Sequence, residues 1–246
     1  MTVKADVVLS PGETLPDADS WLVIDILRAT TTMCAFFDGG GKILHPCPSV
    51  EDAFVLRDRL AAEGGNPLLM GERDALPPAG FDLGNSPLEL LEYGPSRRPE
   101  AVMATTNGTR ALLKAAASGK PVRPVCARNA SAALEASLED GGSVGILCAG
   151  LHGRAALDDT ACAGLLVELL LRRGDAELQD GAVMALDVWR SGGRDMAAIL
   201  RRSVHGRRIL ALGFEKDLAC AGETDVSRSV AQLEEAETGG PVLRTR

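Results

Sequence analysis

From residue 21 to residue 147 the chain repeats one pattern: a short strand-like run, a polar cluster, then a helical stretch. The runs span 21–26, 42–45, 67–70, 101–103, 122–126 and 144–147, and helical patterns at 30–37, 49–63, 107–117 and 129–138 lie among them. Strands alternating with helices predict an α/β fold, with a mostly parallel sheet covered by helices on both faces. Residues 3–9 alternate weakly and read as an edge strand. From Leu157 onward the pattern turns helical, at 158–173, 179–190, 195–202, 204–212 and 215–221, so a helix-rich C-terminal part is expected. Residues 226–246 are polar and acidic and read as an edge strand or a loose tail. For 246 residues one domain, or two closely packed lobes, is the expected organisation.

Four polar clusters sit directly after apolar runs: Asp25 to Thr32, Gly71 to Arg73, Thr105 to Thr109, and Cys148 to Gly150. In an open α/β sheet, ligands bind outside the carboxyl ends of the strands, so these clusters are expected to converge on one site. A long irregular stretch, 71–87, carries Asp82, Asn85 and Ser86 near its end, and loops of that length inside a compact fold are often functional.

The chemistry on offer is anion binding. Thr105, Thr106, Asn107, Gly108 and Thr109 turn a strand into a helix, which exposes backbone N–H groups at the positive end of the helix dipole; the same residues also make a good N-cap. Asp25 and Arg28, with Thr30 and Thr31, form either a structural ion pair or a site in which Asp25 holds a divalent cation and the others grip phosphate oxygens. Asp158 and Asp159 suit either a first helical turn or an oxygen-seeking cation.

Bulk properties narrow the partners. A formal charge of −8 argues against nucleic-acid binding, so any phosphate site must be local. No apolar run approaches the roughly 20 residues that span a bilayer, and the N-terminus has no leader pattern, so a cytoplasmic protein without membrane contact is expected. Six cysteines without a C-x-x-C pair suggest reduced, buried thiols. The apolar stretch 165–171 suits a core or a dimer interface, consistent with a monomer or a homodimer. His152 is a candidate proton donor, whereas His45 and His205 read as structural or exposed.

Two phosphatase schemes can be tested directly. The D-x-D-x-T pattern of haloacid-dehalogenase-like enzymes fails, because Leu27 stands where the second Asp belongs. The C-x5-R spacing of cysteine phosphatases is met by Cys148 and Arg154, but His before the Cys and Ser or Thr after the Arg are replaced by Leu147 and Ala155. That scheme would be metal-independent and would need a thiolate of lowered pKa. A non-catalytic module that binds a phosphorylated metabolite is a further alternative, disfavoured by the many carboxylates on strand-end loops.

Taken in order, the segments Val23 to Thr32, Gly71 to Arg73, Gly80 to Pro87, Thr105 to Thr109, Cys148 to Gly150, Leu157 to Asp159 and Cys162 to Gly164 resemble the 2-phosphosulfolactate phosphatase family. The resemblance implies an α/β fold of its own kind and a Mg²⁺-dependent hydrolase. Its substrate would be a small anionic phosphoester, (2R)-phospho-3-sulfolactate, cleaved to sulfolactate and phosphate on the route to coenzyme M. From the residue inventory, Asp25 and Asp159, helped by Glu72 or Asp82, are expected to hold Mg²⁺, and Arg28, Thr30 and Asn107 to stabilise the transferring phosphoryl group. Thr31, Arg73, Asn85, Ser86, Thr105, Thr106, Gly108 and Thr109 would bind substrate, and water, Asp25 or Cys148 would be the nucleophile. Two departures from the family pattern are Asp158 where Glu is usual and a diverged segment from Val226.

Overall fold

A computed structural model describes residues 2–236 and 239–245. Its strands are β1 (Val3–Val8), β2 (Ser20–Ile24), β3 (Ile43–Cys47), β4 (Leu68–Gly71), β5 (Glu100–Ala104), β6 (Val122–Val125), β7 (Ser143–Cys148), β8 (Ala176–Leu178), β9 (Ala231–Glu235) and β10 (Pro241–Thr245). The helices are α1 (Ala29–Asp38), α2 (Val50–Ala62), α3 (Pro87–Tyr93), α4 (Gly108–Ala116), α5 (Ala130–Leu138), α6 (Leu157–Leu171), α7 (Asp180–Ser191), α8 (Met196–Arg202), α9 (Val204–Ala211) and α10 (Glu215–Gly222). Local chemistry sets several of their starts. Ser49, Ser86, Asp195 and Ser203 each accept a backbone N–H as side-chain N-caps of α2, α3, α8 and α9. Among the described residues no helix is long and apolar enough to cross a membrane.

The strands form one sheet in the order β4-β5-β3-β10-β9-β6-β2-β7-β1-β8. Two parallel blocks, β4-β5-β3 and β6-β2-β7-β1-β8, flank the antiparallel hairpin β9-β10. Three successive antiparallel pairings, β3 with β10, β10 with β9 and β9 with β6, reverse strand direction between the blocks. In a flat sheet the carboxyl ends of β2 and β5 would therefore lie on opposite edges. They are nonetheless brought together: residues of α1, α3 and α4 share one core with strands of both blocks, including Val23, Met33, Leu44, Met70, Met103, Leu112 and Leu147. On the outer face of the larger block, α5 to α10 pack in a second core, and α2 covers the smaller block. β2 is buried along its whole length, as its unbroken apolar run requires.

The α/β class and the helix-rich C-terminal part are as expected, but three local readings are corrected. Residues 231–235 and 241–245 are neither an edge strand nor a loose tail; they lie in mid-sheet, joining the two blocks. Their polar composition misleads because an antiparallel strand needs only one apolar face, here Ala231, Leu233 and Leu243. β1 is not an edge strand, since the three-residue β8 pairs outside it. Leu165, Leu166, Val167 and Leu170 of α6 are core residues. The short helix α3, within a stretch with no expected element, starts where Ser86 and Pro87 provide a cap and a first-turn proline.

Candidate active site

A recess of about 450 Å³, counting the solvent at its mouth, lies where the loops of both blocks meet. The β2–α1 loop contributes Asp25, Leu27 and Arg28, and the segment after β4 contributes Glu72, Asp74, Ala75 and Asn85. The β5–α4 turn adds Thr106 and Asn107, the loop after β7 adds Leu151 and His152, and α9 closes the top with His205, Arg208 and Ile209.

Asp25 is the buried centre of the floor. Its carboxylate lies against Gly108, the first residue of α4, where a Cβ would come within 2.7 Å of Asp25 Oδ2 and 2.5 Å of the Ala29 methyl. Only glycine allows this approach, which places the carboxylate at the positive end of a helix. No cation pairs with Asp25 among the described residues, and burial, opposed by His205 and reinforced by Glu72 and Asp158, raises its carboxyl to about 6. Glu72 beside it accepts the Thr106 amide at 2.6 Å and the Ala75 amide at 2.9 Å, one on each oxygen. Two further oxygens on the recess, Asn85 Oδ1 and Thr106 Oγ1, are buried without a hydrogen-bond partner among the described residues. Buried polar atoms are normally satisfied, so this pair leaves hydrogen-bonding capacity open at the recess. Asn107 stands at the N-cap of α4 but makes no side-chain cap bond, which leaves its amide to the recess.

Arg28 is held from three sides. Nη1 donates to Asp217 Oδ2 at 2.5 Å, Nη2 donates to the Ala75 carbonyl at 2.8 Å, and the guanidinium stacks 4.3 Å from the Phe214 ring centre. Asp217 also accepts from Ser86 Oγ at 2.7 Å. Above the floor, His205 Nδ1 faces Asp158 Oδ2 at 3.3 Å. Burial alone would lower its pKa, but the Asp158 contact and the charges of Asp158, Asp25 and Glu72 outweigh it and leave the ring above its ordinary value. Arg208 Nη2 bridges the mouth to the Asp74 carbonyl at 3.1 Å and carboxylate at 3.3 Å.

Of the expected site residues, Asp25, Arg28, Glu72, Asn85, Thr106 and Asn107 line the recess, with Gly108 packed against Asp25. The rest have other work. Asp159 braces two loops, accepting Ile26 N–H at 2.9 Å and Gly150 N–H at 2.8 Å, and does not reach the recess. Gly150 itself, at φ +65, has no room for a Cβ against the Arg154 carbonyl. Asp82 binds the Leu69 amide and pairs with Arg98 at 3.1 Å, so it is not placed to hold a metal here. Arg73 donates to its neighbour's carbonyl, Glu72 O. Thr30 Oγ1 accepts the Asp25 amide, Thr31 Oγ1 donates to Ile26 O, and Thr105 and Thr109 close on each other through the turn. Ser86 caps α3 and steadies Asp217. Cys148 is fully buried at the end of β7, where burial and then Asp159 and Asp158 push its thiol well above the ordinary value. Arg154 is exposed on the loop beyond, so the cysteine scheme has neither its thiolate nor its anion cradle.

Sequence reasoning missed His205, Arg208 and Asp217. The first two, with Ile209, sit at i, i+3 and i+4 on α9, one face of a helix, a spacing visible in the sequence but shared by countless ordinary helices.

Comparison with known proteins places the chain among the phosphoric monoester hydrolases. The model of the 2-phosphosulpholactate phosphatase family matches residues 8–236, and the chain belongs to that family. Its sequence is 39% identical, over 100% of this chain and 96% of the relative, to a Thermus thermophilus protein named "Probable 2-phosphosulfolactate phosphatase". Proteins of the same name from Deinococcus radiodurans (39% identity, 94% of this chain, 93% of the relative) and Carboxydothermus hydrogenoformans (34%, 88% and 87%) are also similar.

Proposed function

We propose that this protein is a Mg²⁺-dependent phosphatase that hydrolyses 2-phosphosulfolactate to sulfolactate and phosphate. The observation that carries the reading is Asp25: a buried carboxylate that has no cation partner among the described residues, facing a recess that also holds Asn85 and Thr106 oxygens without a partner among those residues. The names of the family and of its relatives support the substrate.

The donor set fits Mg²⁺. Among the described residues no group of three or more His, Cys, Asp or Glu is spaced to hold a metal ion alone. Mg²⁺ uses one or two carboxylates, keeps several waters and shares the substrate's phosphate oxygens. Asp25 and Glu72 would be those carboxylates, with Asn85 Oδ1 within the same recess. When bound, the ion supplies charge neutralisation at the phosphoryl oxygens.

The chain's own residues do the rest. Asn107 and the amino end of α4 receive the phosphoryl group beside Asp25, and Arg28, fixed by Asp217 and Ala75, presents its charge without having to reorganise. A substrate with several anionic groups needs a second cation. Arg208 at the mouth is suited to the sulfonate or carboxylate once it exchanges Asp74 for the ligand. The recess is small and lined by more polar and charged residues than apolar ones, which suits a compact anionic ester.

The test is phosphate release from racemic phosphosulfolactate, with phospholactate as comparison, in Mg²⁺ and in excess EDTA. Release that requires both the metal and the sulfonate is expected. Release that survives EDTA removes the metal, and equal rates on the two esters remove the sulfonate preference.

A further inference from the structure

Within the recess one ionisable ring has its two nitrogens in different surroundings. His205 Nδ1 faces the Asp158 carboxylate at 3.3 Å, and the two side chains are 14% and 2% exposed. Nε2 has no protein partner among the described residues, and the ring lines the recess. A carboxylate on one nitrogen fixes the ring's orientation, keeps a proton on Nδ1 and stabilises the imidazolium, whose second proton then sits on Nε2 on the ligand's side.

We infer that His205, oriented by Asp158, is the general acid that protonates the leaving oxygen when the phosphoester is cleaved. The inference rests on the phosphatase reading above. The oxygen released from a 2-phospho ester is an alkoxide on carbon, too basic to leave readily without a proton. In the step, the bond between phosphorus and this oxygen breaks with its electron pair going to oxygen, and the Nε2 proton moves onto that oxygen. Water supplies the oxygen that ends on phosphorus and gives up one proton, and the neutral imidazole regains its own proton from solvent before the next turnover. Three carboxylates from separate elements face the ring: Asp158 from α6, Asp25 after β2 and Glu72 after β4. Asp25 and Glu72 are the carboxylates assigned above to Mg²⁺, so the orienting partner that stays with the ring is Asp158 at 3.3 Å, while Arg208, one turn further along α9, is occupied by Asp74. The placement also explains why a helix so late in the sequence closes a site otherwise built from strand-end loops.

The test compares an alkyl ester, phosphosulfolactate or phospholactate, with 4-nitrophenyl phosphate, whose phenolate leaves without a proton, in saturating Mg²⁺. His205→Asn is expected to slow the alkyl ester by about 10²- to 10⁴-fold and the nitrophenyl ester by less than about tenfold. The unaltered protein gives an independent readout. Its kcat/KM on the alkyl ester is expected to fall as pH rises through the His205 pKa, with no such fall on the nitrophenyl ester. Asp158→Asn is expected to move that fall to lower pH. Equal losses on both esters, or the same basic limb with both, overturn the general acid and leave the phosphatase reading standing. Cleavage of the nitrophenyl ester alone by the unaltered protein also overturns it, since no proton is then delivered. Release from neither ester overturns the phosphatase reading and this inference together.

Discussion

The strand-end loops and the C-terminal helices contribute to the recess in opposite ways. The loops after β2, β4 and β5 supply acceptors and amides, namely Asp25, Glu72, Asn85, Thr106 and Asn107, on backbone anchored to the sheet. The helices α9 and α10 supply His205 and Arg208 at the top and Asp217 behind Arg28. Oxygen donors thus come from rigid strand ends, whereas the groups that govern charge come from a layer assembled much later in the chain. On the proposed reading the floor is where a cation and a phosphoryl group would rest, and the roof sets how positive the surroundings are.

Removing the floor's central carboxylate is the most damaging change expected. Asp25→Asn should lower kcat/KM by about 10³-fold or more, measured by phosphate release in Mg²⁺. The same variant has a stability signature of opposite sign. Burial raises the Asp25 carboxyl from 3.8 to about 6, so between these values the native state holds a proton that the unfolded chain has lost. Wild-type protein in EDTA should lose stability from this group as pH climbs through that window. Asp25→Asn should escape the loss, by about 3 kcal/mol at neutral pH, with ~1.4 kcal/mol per pKa unit. Denaturant unfolding in EDTA at pH 4 and pH 7 checks the difference.

Asp217→Ala probes the roof's hold on the floor. It leaves the buried Arg28 charge without its carboxylate and Ser86 without its acceptor, and should cost about 3–5 kcal/mol of unfolding free energy together with most of the activity. A loss below about 1 kcal/mol would mean that the Ala75 carbonyl and Phe214 ring suffice to position the guanidinium. A smaller effect is expected at the mouth. Arg208→Ala, on an exposed side chain, should raise KM roughly tenfold with kcat and Tm little changed, because only an ion pair with the ligand is lost. Smallest of all, Cys148→Ala and Asp82→Asn should leave turnover within about twofold of wild type, the former losing about 1–2 kcal/mol of stability from the core. A collapse of activity in either would return that side chain to the chemistry.

Much of the floor was legible from local pattern. Asp25 directly, Glu72 after one glycine and Asn107 after two threonines follow apolar runs, and a strand end is where a ligand-binding group is expected. Their neighbours show why the reading overshot. Thr30, Thr31, Thr105 and Thr109 are just as polar and equally close, but their hydroxyls satisfy nearby backbone groups of the turns, and composition does not separate such a hydroxyl from one aimed at a ligand. Asp159 shows the same problem at longer range, since the Ile26 amide it braces lies 133 residues away.

By itself the sequence determined the alternation of strands and helices, the buried central strand β2, and the polar turns that follow β2, β4 and β5, because these depend on residue periodicity and local backbone chemistry. Only the tertiary structure decided that β9 and β10 enter mid-sheet, that oppositely directed blocks bring their loops to one recess, and that His205, Arg208 and Asp217 belong to it. Those outcomes depend on how the hairpin β9-β10 joins the two blocks and on where α9 and α10 pack against α3, α6 and α8. They are set by contacts between residues far apart in the chain, which no local pattern records.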